Sequence, residues 1–350
     1  MTTTPLTHIV GSGLIGASIG IGLSAEGWRV TISDADPETE LLARSIGAGN
    51  APDRTEPDLV IVATPPGVTP DVVSDALNTW PNAVVVDVTS VKGPIAEVAA
   101  RSGQGHRYVG AHPMAGREVS GAMAAQGDLF RARPWVICAG TAADSAVALV
   151  RRVAEALQCD VVFMDALAHD RAVARVSHAP QAAASAVAAA LGPLGEDDVA
   201  LAGQGLRDVT RIAASHPSMW ADIARLNKTA LVETLDHIVS ELDEVRHAED
   251  IGTAMTALIE RGRHEVARIP GKHGGAKRDW EAVTVIVPDS PGHLVRLLSD
   301  AAAVGVNVED ISIEHSPRQP VGLTTLWVLP QSESELVDAL QKGGWVVAGS

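Results

Sequence analysis

The stretch GSGLIG, residues 11–16, follows the apolar run HIV and opens a pattern with helical spacing. Its G-x-G-x-x-G form suits a dinucleotide pyrophosphate. Gly11 permits a tight turn, Gly13 lets the backbone approach the phosphates, and Gly16 lets helix and strand pack closely. The helix start at Leu14 and Ile15 then offers N–H groups and a favourable dipole to an anion. One helix later the run RVTISD ends at Asp34. A carboxylate there hydrogen-bonds a ribose 2′-hydroxyl and repels a 2′-phosphate, which predicts NAD rather than NADP. A simple turn residue before Asp36-Pro37 is the plainer reading of Asp34, but the complete motif outweighs it. Thr64 and Pro65, in ATPP at the end of LVIVAT, fall on the same rim, because ligands lie beyond the carboxyl ends of such strands.

A second set of candidates shares that rim. Ser90 and Lys92 in TSVKG follow the run AVVVDV, and His112 closes the run YVGA. Each alone reads as a solvated strand end; several converging strand ends make a site. Further along, GLRDVTRIAASHPSMW carries Asp208 and Arg211 on one helix face, and Trp220. Arg211 either pairs locally with Asp208 or grips an anionic substrate as an arginine fork. Trp220 either fills the core or walls a pocket.

The elements that must position these residues follow from periodicity. HIV, RVTIS, LVIVAT, AVVVDV, YVGA, WVICA and VVFM alternate with helical stretches, predicting βαβ units and a parallel sheet over residues 1–164. Residues 165–268 show no convincing strand. Helices are expected over 165–191, broken by Pro180, over 196–214, and from about 218. In the last, Leu231, Leu235, Ile238, Leu242 and Val245 form a heptad-like stripe. Packing within the chain and a subunit seam explain it equally well. Residues 269–279, rich in glycine and basic side chains, read as a linker. Residues 280–350 read as strand, helix, strand, strand, helix, strand, a ferredoxin-like βαββαβ order.

Composition narrows the function. The 350 residues exceed what one core organises. A net charge of −16 argues against nucleic acid as a partner. Neither Cys138 nor Cys159 has metal-ligand spacing, no metal is expected, and two free thiols suit a reducing compartment. With no basic leader and no apolar stretch of membrane-spanning length, a soluble cytoplasmic protein is expected.

Taken in order, GSGLIGASIG, DVTSVKG, GAHPMAG-x-E, HD…VSHAP and RDVTRIA…MW resemble the prephenate dehydrogenase family over residues 7 to about 275. The tail, with DSPGHL, GVNVEDISI and GGW, is similar to an ACT domain. The resemblance implies a Rossmann-like domain, an all-helical dimerisation domain and a regulatory module. The implied chemistry is oxidation of prephenate to 4-hydroxyphenylpyruvate with loss of CO₂ and hydride transfer to NAD, in tyrosine biosynthesis. His112 matches the family's catalytic histidine, Ser90 the serine beside it, and Arg211 the arginine that grips the side-chain carboxylate. His178 and Trp220 line the pocket, and Glu118 matches an acidic residue at its entrance. The chain departs from relatives at Arg117, where some have a small hydroxyl residue, and at Gln181, where many have a second histidine. These two positions leave prephenate, arogenate and 4-amino-4-deoxyprephenate open as substrates. In ACT modules the effector lies near positions matching Asp289, Gly292 and Asn307, with tyrosine as the implied ligand. A homodimer is implied.

Two rival readings remain. A β-hydroxyacid dehydrogenase of similar build needs a catalytic lysine on the helical domain, where Lys228 is the only lysine. A non-catalytic NAD and amino-acid sensor would bind both ligands yet tolerate loss of His112.

Overall fold

The computed structural model describes residues 4–116, 121–269, 280–315 and 321–348. Its contacts divide the chain into two compact units, Met1–Ser240 and Glu241–Ser350. Among the described residues no helix is long and apolar enough to cross a membrane.

The first unit begins with β1 (Leu6–Val10), α1 (Leu14–Ala25), β2 (Arg29–Ser33), α2 (Pro37–Ser45), β3 (Leu59–Val62) and α3 (Thr69–Thr79). It continues with β4 (Val84–Asp87), α4 (Gly93–Arg101), β5 (Tyr108–Pro113), β6 (Pro134–Cys138), α5 (Asp144–Ala156) and β7 (Asp160–Phe163). The strands form one sheet in the order β2-β1-β3-β4-β5-β6-β7. Helices cover both faces of the central strands, so their alternate residues are buried on opposite sides, whereas the edge strand β7 is largely exposed. Ile61 joins Ile9, Ile19 and Leu23, whereas Val60 and Val62 join Val73, Leu77 and Ile95. That two-sided burial is why these strands read as unbroken β-branched runs.

The expected parallel sheet needs correction. The neighbouring pairs from β2 to β5 are parallel, but β6 is antiparallel to β5, with His112 opposite Val136. No crossover α-helix lies between β5 and β6 among the described residues, so the chain re-enters the sheet from the opposite end. β7 then runs parallel to β6 after α5. β4 ends at Asp87 opposite Gly110, while β5 runs on through His112 and Pro113, paired there with β6. His112 thus sits within a strand rather than at its very end.

The helical part of this unit comprises α6 (Ala166–Val173), α7 (Ala179–Ala189), α8 (Glu196–Val199), α9 (Gln204–Thr210), α10 (Pro217–Leu226) and α11 (Lys228–Arg246), the last running into the second unit. A π-helical turn, Ala174–His178, joins α6 to α7 directly before Pro180. A proline in an α-helix removes one N–H and clashes with the carbonyl four residues back. The wider turn accommodates this without ending the helix. The single helix expected over 196–214 is two short helices followed by a 3₁₀ turn, Arg211–Ala214.

The second unit holds α12 (Ile251–Val266), with Asp250 capping its first N–H groups, and Arg261 bound to Glu241 and Glu244 at 2.5 and 3.0 Å. Then follow β8 (Glu281–Pro288), α13 (His293–Ala303), β9 (Asp310–His315), β10 (Val321–Val328), α14 (Pro330–Lys342) and β11 (Val346–Ala348). The four strands form an antiparallel sheet in the order β11-β8-β10-β9. This is the expected βαββαβ arrangement, with Val283, Val285, Leu326 and Val328 packed on Leu297, Leu336 and Leu340. The expected linker falls almost wholly in 270–279, outside the described residues.

Candidate active site

Because β1 to β5 run parallel, their carboxyl ends form one rim. The strand order reverses direction between β1 and β3, where a ligand crevice opens in such sheets. Gly11 ends β1 with φ of +100°, and a Cβ on it would lie 2.5 Å from the Ala63 carbonyl oxygen. A Cβ on Gly16 would lie 1.9 Å from the Gly11 carbonyl oxygen. The fold itself therefore demands both glycines. Gly13 differs: its φ is −67°, and a Cβ there would meet nothing within 4 Å. Neither backbone nor packing requires glycine at that position, so the open space suits a group that approaches the backbone closely. Gly13 caps α1 without a side-chain bond, and the first α-helical bond runs from Ala17 N–H to the Gly13 carbonyl. The N–H groups of Leu14, Ile15 and Gly16 precede that bond and fit a pyrophosphate.

Asp34 lies against the loop. Its Oδ2 accepts from the Ser12 N–H at 2.7 Å and the Ser12 hydroxyl at 2.8 Å, and its Oδ1 from the Asp36 N–H at 3.0 Å. These bonds tie the carboxylate to the glycine turn at the end of β2, where a ribose would be read. Across the crevice, the Thr64 and buried Thr69 hydroxyls lie 2.9 Å apart, fixing the loop that carries Thr64 and Pro65.

His112 is half-buried on β5. Its Nδ1 lies 2.9 Å from His169 Nε2, and the rings meet edge to face at 5.1 Å. His169 Nδ1 lies 2.8 Å from Asp170 Oδ1. Asp170 also accepts the Lys92 N–H at 2.8 Å and the Gly93 N–H at 2.7 Å, which joins α6 to the start of α4. Lys92 is fully buried, bonding Asp87 and, at 2.6 Å, the Ala111 carbonyl. Asp87 further accepts from the Tyr108 hydroxyl at 2.6 Å and from the Thr89 hydroxyl and N–H. Burial, then the nearby His169, Lys92 and His178, holds His112 well below the ordinary histidine range, so it stays neutral with a lone pair to use.

The remaining candidates gather on the helical side. His178 is buried, its Nδ1 3.2 Å from Asn227 Nδ2, and burial lowers it to about 4. Asn227 also donates to the Asp170 carbonyl at 2.8 Å. Trp220 on α10 meets His178 edge to face at 6.1 Å, and its buried indole N–H has no hydrogen-bond partner among the described residues. Gln181 is buried, with its amide donating to the Ile212 carbonyl at 2.9 Å, so it ties α7 to the turn that carries Arg211. Arg211 is exposed at the start of that turn, and Asp208 accepts from Gln204 at 2.7 Å. Ser90 is half-buried in the loop between β4 and Lys92. Lys228 is exposed. Arg117 and Glu118 lie outside the described residues. In the second unit, Asp289 is exposed, Gly292 precedes α13 with φ of +90°, and Asn307 donates to Glu309 at 2.9 Å.

His169 and Asp170 lie in the HD…VSHAP stretch, yet neither they nor Asn227 carry a role legible in the sequence, and Lys92 reads there as a strand-end residue. The adjacent pair in HD was visible, but its chemistry depends on a histidine 57 positions away.

Residues 19–163 match the family model for the prephenate dehydrogenase nucleotide-binding domain, and residues 165–253 the one for its dimerization domain. The chain is 31% identical to the probable prephenate dehydrogenase NovF of Streptomyces niveus, over 96% of this chain and 98% of that protein. It is similar to the crystal structure of A. aeolicus prephenate dehydrogenase in complex with hydroxyphenyl propionate and NAD+, at 26% identity and a TM-score of 0.65, covering 76% of this chain and 99% of that one. Synechocystis arogenate dehydrogenase matches at 26% identity and a TM-score of 0.61, covering 74% and 95% of the two chains. The histidine rim falls within the family-model matches, the glycine loop at 11–16 lies just ahead of them, and the protein belongs to the prephenate dehydrogenase family.

Proposed function

We propose that this protein is an NAD-dependent prephenate dehydrogenase of tyrosine biosynthesis, acting in the cytoplasm as a homodimer. The observation that carries the reading is a half-buried histidine, His112, on the same carboxyl-end rim as the Gly11–Gly16 loop. The A. aeolicus relative, bound to NAD+ and a hydroxyphenyl compound, supports the ligand pair.

The first-turn N–H groups after Gly13 hold the pyrophosphate, Asp34 takes the ribose hydroxyls, and Thr64 and Pro65 flank the crevice. Bound NAD supplies the hydride acceptor. His112 accepts the proton of the C4 hydroxyl as the ring carbon gives up its hydride, and Ser90 orients that hydroxyl. Arg211 grips the side-chain carboxylate, which an overall charge of −16 would otherwise repel. Arg117 and Glu118 are further charged candidates for substrate binding, by resemblance to the family. Trp220 and His178 wall the pocket and exclude water. When the ring carboxylate leaves as CO₂, its bonding electrons complete the aromatic ring. The oxygen then takes its proton back from the histidine, so the base is reset within each turnover.

Gln181 acts on specificity through the turn carrying Arg211, and prephenate is the favoured substrate, with arogenate as the alternative suggested by the Synechocystis relative. The stripe on α11 supports a subunit seam. Leu231, Leu235 and Ile238 are only half-buried, and Leu242 is 57% exposed in the single chain. The antiparallel C-terminal sheet is read as an ACT module binding tyrosine near Asp289, Gly292 and Asn307.

The test is the absorbance of reduced nicotinamide with prephenate and arogenate, each with NAD and NADP. Prephenate with NAD should be the productive pair, and His112→Asn should lower kcat by about 10²–10⁴-fold. A His112→Asn enzyme with wild-type turnover would overturn the assignment of the base.

A further inference from the structure

We propose that His169, held by Asp170, is a proton-relay and positioning residue behind His112, and that the substrate proton is stored on His169 between hydride transfer and aromatisation. The proposal rests on the reading of His112 as the base.

The donor directions are determined by chemistry. A carboxylate only accepts, so His169 Nδ1 donates to Asp170 Oδ1. In its neutral form His169 then presents a lone pair at Nε2, and His112 Nδ1–H donates to it across 2.9 Å. That assigns the remaining lone pair of His112 to Nε2, the nitrogen left for the substrate hydroxyl. Asp170 is itself fixed by the Lys92 and Gly93 N–H groups, and Asn227 binds its carbonyl, so the chain of donors has a rigid end.

The same contacts decide where a proton rests. A cationic His112 would stand near buried Lys92 with no carboxylate bonded to it among the described residues, since Asp87 is taken by Lys92, Tyr108 and Thr89. A cationic His169 has the Asp170 carboxylate at 2.8 Å. In the relay, the substrate O–H bond breaks and an N–H bond forms at His112 Nε2. The N–H bond at His112 Nδ1 breaks and one forms at His169 Nε2. Aromatisation runs both transfers in reverse and returns the proton to the product hydroxyl. No proton is gained or lost overall, and the hydride goes to the bound nicotinamide.

Two variants separate storage from orientation. In His169→Gln, the amide oxygen can still accept from His112 Nδ1–H but the side chain cannot take up a proton. His169→Phe removes both functions. With prephenate and NAD, both should lose about 10²-fold in kcat while KM changes little. In His169→Gln the acid limb of kcat/KM should move to lower pH, because His112 alone resists protonation. A His169→Gln enzyme within about threefold of wild-type kcat, with its acid limb unmoved, overturns the relay. ¹⁵N-histidine NMR of the wild-type protein gives a second answer that does not depend on either variant folding. His112 protonated at Nδ1 agrees with the proposal, and His112 protonated at Nε2 at the pH of activity refutes it. If His112→Asn is inactive while His169→Gln is normal, the relay alone fails. If His112→Asn turns over normally, the functional reading fails with it.

Discussion

Substituting methionine for Lys92 keeps the aliphatic stem and deletes a positive charge that the fold buries completely. The Asp87 carboxylate then stays in a low-dielectric site with Tyr108 Oη, Thr89 Oγ1 and the Thr89 N–H as its donors. Removing one partner of a buried pair costs about 3–5 kcal/mol. The three surviving donors place this case near the lower end, about 3 kcal/mol. There is also a ceiling. An ordinary carboxyl with a pKa near 3.9 takes up a proton at pH 7 for about 4 kcal/mol, so the charge penalty cannot exceed that figure. At pH 5 the same ceiling falls to about 1.5 kcal/mol. The sign follows. Without Lys92 the folded state binds a proton at Asp87 more readily than the unfolded chain does, so stability is lost at high pH and partly regained as pH falls. Urea unfolding at pH 7 and pH 5, followed by circular dichroism and tryptophan fluorescence, measures both quantities. A loss under about 1 kcal/mol at pH 7, or an equal loss at the two pH values, would show that the pair is not the buried ion pair described here.

Further outcomes follow from the same geometry. His178 is held neutral at about 4, below its unfolded value, so the unfolded chain takes the proton first on acidification. Stability should fall between pH 6.5 and about 4 by up to about 3 kcal/mol, and His178→Gln should flatten that slope in thermal melts. Gly13→Ala should leave the melting temperature unchanged but weaken NAD binding by at least about 1 kcal/mol in calorimetry. Gly16→Ala should lower the melting temperature itself, because its Cβ collides with the Gly11 carbonyl. Arg211→Ala should act mainly on KM for prephenate, raising it by the equivalent of about 2 kcal/mol or more in steady-state kinetics.

The parts of the molecule set by local pattern were legible in the sequence. The seven strands of the large sheet coincide with apolar runs, unbroken in β3 and β4 where both faces are covered, and Gly11 and Gly16 meet the contacts their motif implies. The reversed β6 was not legible, since strand direction is decided by whether a crossover helix precedes it, and WVICA reads the same either way. Lys92 and Asp87 were opaque for a related reason. A lysine after a strand is usually solvated, and only the tertiary fold brings a carboxylate, a tyrosine hydroxyl and a carbonyl around it. Gln181 stood out as a departure from relatives, but its hydrogen bond to Ile212 depends on how α7 packs against the following turn.

The π-helical turn has one more consequence. It is in effect a one-residue insertion carried inside a helix, and each residue advances an α-helix by about 100°. The continuing helix α7 is therefore rotated by that amount relative to α6. The phase shift lets His169 and Asp170 face the sheet while Gln181 and Ala184 still turn inward. Deleting Val176, which is 68% exposed and packs little, would restore α-helical phase yet swing Gln181 away from Ile212 and set Pro180 in an unbroken helix. Length in this segment is thus a coordinate of the site, and a shortened but otherwise identical chain would aim a different set of side chains at it.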